Sequence, residues 1–320
     1  MSTASSQPSV LPAPGSRGPD IAFKWVAAMA AAMIVVLIVL VGFELYWGSR
    51  LALAKFGPGF LFSSEWDPVQ DKYGALPFIF GTLVSSLLAL LIAVPLGIAT
   101  ALFLTELAPI RLRQPIVMAI EMLAAVPSVI FGLWGIFVLV PWLRDYLFVW
   151  LKHYLGFLPL FQGPIYGVSM LAAGIVVAIM ILPIITSISR EILRSVPNLQ
   201  REAAYALGAT RWEVLKIAVL SYARRGLFGA AVLGLGRALG ETMAVTMVIG
   251  NRPQISASLF APGYTLASVI ANEFTEATSD LYLNSLFELG LVLLGVAVAV
   301  NVVAQIMLKS MTGSGPIKVS

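Results

Sequence analysis

Residues 234–251 read GLGRALGETMAVTMVIGN, and FGAAVL stands immediately before them. The stretch is long and apolar enough to be one membrane-crossing helix, which takes roughly 20 mostly apolar residues for about 30 Å of hydrocarbon. Arg237 and Glu241 nevertheless fall in its middle. A charge at the bilayer centre costs about 2.5–3.5 kcal/mol on insertion scales, so neither side chain is expected to face lipid. Their i,i+4 spacing puts them on one helical face, where each can neutralise the other. Gly236 and Gly240 form a GxxxG that Ala244 continues, a small-residue stripe suited to close helix packing. Two readings follow. The pair is a structural lock between helices, or it lines a path for an anion. Arg suits the second role because its planar fork of donors matches oxyanion oxygens and stays charged.

The rest of the chain extends the membrane reading. Of 320 residues, 59% are hydrophobic and 11% charged, against about 25% charged in an ordinary soluble domain. Mean hydropathy is +0.93. The apolar runs are continuous rather than alternating, which argues against a β-barrel. The absence of cysteine removes disulfides and thiolate chemistry. The net charge of +4 is read as an orientation signal, not as a nucleic-acid footprint.

The fold class expected is an all-α membrane protein with six transmembrane helices, at roughly 22–46, 76–104, 115–140, 165–188, 226–249 and 285–308. Residues 1–21 are a Ser/Pro/Ala/Gly-rich tail expected to be disordered, 22–310 the membrane domain, and 311–320 a second tail. Thirteen Lys and Arg fall on one side of these spans and six on the other, which predicts both termini in the cytoplasm. Residues 143–164, with Trp142 just before them and Tyr146, Trp150 and Tyr154 within, read as a short segment at the outer interface. His153 there reads as a loop residue.

The largest inner loop, SREILRSVPNLQREAAYALGATRWEVLKIAVLSYARR at 189–225, reads as a helical hairpin over about 198–216. Pro197 and Asn198 suit a helix start, and Gly208 is placed to end that helix in the left-handed conformation. Thr210 and Glu213 form a capping box that opens a second helix running toward the membrane. Ala203 and Ala204, beside Glu202, leave a small-residue surface that another protein can approach.

The spacing of Glu202, Ala203, Ala204 and Gly208 resembles the EAA loop of ABC-importer permeases, the element that docks on the ATPase subunit. LAAVPSVIFGLWG (123–135), the EAA segment, GLGRALGETMAVTMVIGN and SLFAPGYTLASVIANEF (258–274) together are similar to the PstC-type permeases of bacterial phosphate ABC transporters. That resemblance implies a type I importer permease in the inner membrane, with Glu202, Ala203, Ala204 and Gly208 coupling it to ATP hydrolysis. It implies as partners a homologous PstA-type permease, two PstB-type ATPase subunits, a PstS-type phosphate-binding protein outside, and inorganic phosphate. It also tips Arg237 and Glu241 toward the substrate path. Ser128 and Glu121 join them as candidates. Glu121 also reads as an acid paired or protonated within the bundle, and Ser128 as bonding its own helix carbonyl. Glu288 is expected in water near the outer interface. Glu273, Glu276 and Asp280 are expected in an outer segment facing either solvent or the binding protein.

No phosphate-loop pattern G-x-x-x-x-G-K-[ST] is present, and Leu239 stands where the third glycine of G-x-G-x-x-G belongs. There is no metal-ligand cluster. The chain therefore reads as a transport subunit and not an enzyme, with no cofactor, metal or nucleic-acid partner. The alternatives are a permease of this architecture for sulfate or molybdate, an ion-coupled anion carrier, and a scaffold without transport.

Overall fold

The computed structural model describes residues 17–310. Residues 1–16 and 311–320, most of the two expected tails, lie outside them. Among the described residues, six helices are long and apolar enough to cross a membrane. The chain divides into one unit up to Trp47 and a second from Gly48 onward. The first unit is essentially one helix, α1 (Arg17–Gly48), which starts at Arg17 rather than after residue 21.

The second unit opens with two short helices, α2 (Arg50–Phe56) and α3 (Gly59–Phe62). The second span, α4 (Leu76–Leu107), follows and ends in a π-helical turn, Phe103–Leu107. The expected third span, 115–140, is not one helix. Val126 and Pro127 are both extended, and they separate α5 (Ile110–Ala125) from α6 (Ser128–Leu155). The cause is local. A proline's ring pushes the residue before it out of the helical region, and the proline itself brings no N–H to the ladder. The third span is therefore α6, and the expected interfacial segment is its second half. Trp142, Tyr146, Trp150 and Tyr154 belong to that continuous helix. It passes Pro141 between two π-helical turns, Gly135–Leu139 and Leu143–Leu147.

The fourth span, α7 (Met170–Arg194), is the most buried of the six. It packs along α4 through small residues. A side chain added at Gly97 would meet Ile185 Cγ2 at 2.9 Å, and one at Gly174 would meet Leu88 Cβ at 2.8 Å. Buried Ala89 and Ala93 continue the seam. Such residues let membrane helix backbones approach closely. The first N–H groups of α7 have no partner within the helix, and the loops supply them. Ser169 N donates to Val248 O, Met170 N to Ala261 O and Leu171 N to Leu259 O, each at 3.0 Å.

The hairpin matches its expected form. It comprises α8 (Asn198–Ala206) and the start of α9 (Arg211–Leu239). Gly208 has φ +83°. Thr210 N donates to Glu213 Oε2 at 2.7 Å, and Glu213 N returns a bond to Thr210 Oγ1. The second hairpin helix runs on into the fifth span through a π-helical turn at Leu215–Leu220.

Two further helices follow α9: α10 (Met243–Val248) and α11 (Leu266–Glu273). The sixth span is α12 (Asp280–Ser310). The outer acids differ from expectation. Glu273 Oε2 accepts from Trp66 Nε1 at 2.9 Å and Tyr282 Oη at 2.6 Å, so it serves inside the fold. Glu288 is buried, 3% exposed, and its Oε2 has no partner. It lines an apolar groove of 630 Å³ with Leu53, Leu76 and Val292 rather than sitting in water.

Candidate functional site

The fifth span is broken where the charges fall. α9 ends at Leu239, Gly240, Glu241 and Thr242 leave the helix, and α10 resumes at Met243. Sequence reading at 226–249 assumed one continuous helix. The signal for a break was present, since glycine commonly ends a helix and threonine commonly starts one.

The depth of the break follows from its neighbours. A Cβ on Gly234 would meet Ile185 Cδ1 at 2.8 Å, and Ile185 lies in the interior of α7. Val248, the last residue of α10, accepts from Ser169 N at the start of α7. The break therefore lies within the span, not at its end. Non-helical backbone at membrane depth is tolerated where it is enclosed by protein or lines a water-filled cavity.

Arg237 occupies the last turn of α9, where a cation is favoured by the helix dipole. Its Nη2 lies 3.8 Å from Glu241 Oε2, with the arginine side chain 49% exposed and the glutamate 7%. The two charges attract at that separation but do not hydrogen-bond. Glu241 is buried, while the guanidinium keeps its donors for something else. The pairing survives although the residues do not share a regular helix.

The small-residue stripe also behaves differently from expectation. A Cβ on Gly236 would meet nothing within 4 Å, and one on Gly240 would meet only its own helix backbone. Neither glycine packs on another helix among the described residues. Ala244 is buried, and a Cβ on Gly132 would approach its Cα to 3.0 Å. Gly132 was not singled out by sequence, yet it seats α6 against α10.

Ser128 is the first residue of the helical part of α6 that carries Gly132. That helix lies against α10, so Ser128 belongs to the neighbourhood of the break. As a first-turn residue it has no preceding turn to bond back to, contrary to the expected bond to its own helix. Glu121 does not join this group. It lies on α5, 59% exposed, 3.6 Å from Arg190 near the hairpin end of α7.

At the hairpin, Glu202 and Ala203 are exposed and Ala204 is half-buried. Leu199, Leu207 and Trp212 are exposed large apolar residues around them. An exposed apolar patch of this kind suits contact with another protein or with the membrane surface.

Six spans, a helix broken at depth beside a charged pair, and a projecting hairpin define a membrane transport component. The chain belongs to the family of binding-protein-dependent transport system inner membrane components, whose description matches residues 93–312. Within it the chain groups with the PstC-type permeases. It is 50% identical over 293 residues to the phosphate transport system permease protein PstC of Xylella fastidiosa (strain 9a5c), covering 90% of each chain. It is 49% identical over 293 residues to the PstC of Mesorhizobium japonicum, again covering 90% of each. A crystal structure of a bacterial ABC transporter involved in the import of the acidic polysaccharide alginate has the same fold. Its TM-score is 0.56 at 19% identity, covering 92% of this chain and 98% of that one. The chain is a multi-pass transport subunit and not an enzyme.

Proposed function

We propose that this chain is the permease subunit of an ATP-driven phosphate importer, that phosphate passes Arg237 at the break in the fifth span, and that Glu241 limits how tightly it is held. The observation that carries this is the half-exposed guanidinium held 3.8 Å from a buried carboxylate where the helix of the fifth span breaks. Arginine offers several donors to phosphate oxygens at once. The adjacent negative charge keeps the site from becoming a trap. Ser128, near the same break, is a further donor to the anion. Glu121 is better read as part of a pair with Arg190 than as a path residue.

The exposed side of the break, with Gly236, Arg237 and Gly240, faces a second, homologous permease across the route. The termini and the hairpin lie in the cytoplasm. Glu202, Ala203, Ala204 and Gly208 belong to the surface that docks one of two ATPase subunits, and a phosphate-binding protein delivers substrate from outside. The phosphate assignment is supported by the names of relatives at 49–50% identity.

The test uses the assembled transporter, both permeases with ATPase and binding protein, in vesicles with labelled phosphate. Arg237→Gln is expected to cut uptake about 10–100-fold, the scale of losing hydrogen bonds to a charged group. The double exchange Arg237→Glu with Glu241→Arg is expected to stay inactive. Restored uptake would reduce the pair to a helix lock. Excess sulfate or molybdate is expected not to compete, and competition would transfer the assignment to another oxyanion.

A further inference from the structure

We infer that Arg201 is a positioning residue that joins the hairpin to the second and fourth spans at once, and that its bond to Glu106 carries hairpin movement into α4. The inference rests on the reading of the hairpin as the ATPase-docking element.

One guanidinium reaches three parts of the chain. Arg201 Nη2 donates to Glu106 Oε1 at 2.8 Å and to Leu193 O at 3.1 Å. Arg201 Nη1 donates to Val196 O at 2.6 Å and to Asn198 Oδ1 at 3.2 Å. Leu193 lies in the last turn of α7 and Val196 just after it, Asn198 starts the hairpin's own first helix, and Glu106 sits in the π-helical turn that closes α4. The arginine and glutamate side chains are 18% and 19% exposed. Beneath them Ala101, Leu193, Val196, Val219, Ala223 and Leu227 form one buried cluster, so α4, α7 and α9 share a core directly under the joint.

The chemistry explains why arginine is needed. Four acceptors lie in different directions around one planar fork, and the ammonium of a lysine is a single point with three donors. The carbonyl of Leu193 is among those a helix end leaves without a partner inside the helix, so Arg201 also caps α7. The hairpin thus has two outputs. Its second helix continues covalently into the fifth span, and its first helix is tied through Arg201 to the second and fourth. Removing the carboxylate alone should cut the polar tie between the hairpin and α4 while leaving the shared core, the hairpin fold and its exposed apolar face in place.

The experiment exploits the absence of cysteine in the chain. Single cysteines at exposed Leu207 on the hairpin and exposed Leu91 on α4 are spin-labelled, each against a reference label at exposed Met307 in α12. Distances are read in the assembled transporter with and without ATP and vanadate. In the otherwise unaltered protein both labels are expected to shift. With Glu106→Ala the Leu207 shift is expected to persist and the Leu91 shift to vanish, with uptake per ATP hydrolysed falling at least about fivefold, the low end of ordinary coupling factors. The ATPase subunit is expected to co-purify in normal amount. Glu106→Gln, which keeps an acceptor oxygen, is expected to fall between. Arg201→Lys is expected to act like Glu106→Ala. A Leu91 shift that persists in Glu106→Ala would overturn the inference while leaving the docking role intact. A Leu207 label that does not respond even with Glu106 in place would overturn the docking reading and the inference with it. If Glu106→Ala does not assemble, Glu106→Gln alone decides, and full coupling in it together with an unchanged Leu91 shift counts against the joint.

Discussion

Two of the molecule's Arg–Glu pairs are made of the same groups and, on the readings proposed above, are put to opposite uses. Arg201 and Glu106 meet at 2.8 Å, largely shielded, with every acceptor around the guanidinium supplied by the protein. Arg237 and Glu241 stand 3.8 Å apart, with the arginine half in the open and without a protein hydrogen bond among the described residues. Once shielded and fully bonded, a pair fixes the parts that carry it. A loose pair with one exposed member holds a charge in place and leaves its donors available. Distance and solvation distinguish a joint from a binding group, although residue type does not.

The contrast is open to attack through stability. Glu106→Ala strands a shielded guanidinium, a change expected to cost about 3 kcal/mol. Glu241→Ala leaves a half-exposed arginine that solvent can accommodate, with an expected cost under about 1 kcal/mol. Thermal unfolding of the purified transporter ranks the two, and equal shifts would erase the distinction. A smaller test probes the packing around the loose pair. Gly132→Ala drives a methyl toward Ala244 Cα at 3.0 Å and Met247 Sδ at 2.6 Å, with an expected loss of about 1–3 kcal/mol from overpacking. Gly236→Ala meets open space within this chain and is expected to gain up to about 1 kcal/mol from helix propensity. If Gly236→Ala instead sheds the second permease on purification, the stripe packs against that subunit.

Much of this fold was legible because it is written in local patterns. Apolar length announces a span, and the hairpin announced itself through Pro197, Gly208 and the Thr210–Glu213 box, each a matter of neighbours within a few residues. The features that escaped are of two kinds. Some depend on local backbone choices that composition hides. Val126–Pro127 splits an apolar run that looked continuous, and Gly240–Thr242 interrupts the span that carries Arg237. Others depend on contacts between distant residues. Glu106 and Arg201 are 95 positions apart, and no periodicity relates them. Glu288 follows the same rule, since the groove it lines is shared with Leu53 and Leu76 from another part of the chain.

For the candidate site, the sequence identified Arg237 and Glu241 correctly as a pair, because a charge in an apolar run demands a neighbour. The geometry of that pair was not legible. A continuous helix would have put them in register on one face, whereas the break lets Glu241 turn into the fold and Arg237 outward. Glu121 and Ser128 lie on separate helices, α5 and α6, because Val126 and Pro127 divide the expected third span.

The π-helical turn at Leu215–Leu220 has a bearing on how this gene can change length. Such a turn holds one residue more than an α-helical turn needs, so losing one there lets the backbone relax to ordinary spacing and keeps Arg237 pointing where it does now. The same loss anywhere between Ser221 and Gly236 would swivel the guanidinium by about 100°. Deletions tolerated in the first stretch and lethal to transport in the second are the mark such a slack coil would leave on the sequence record.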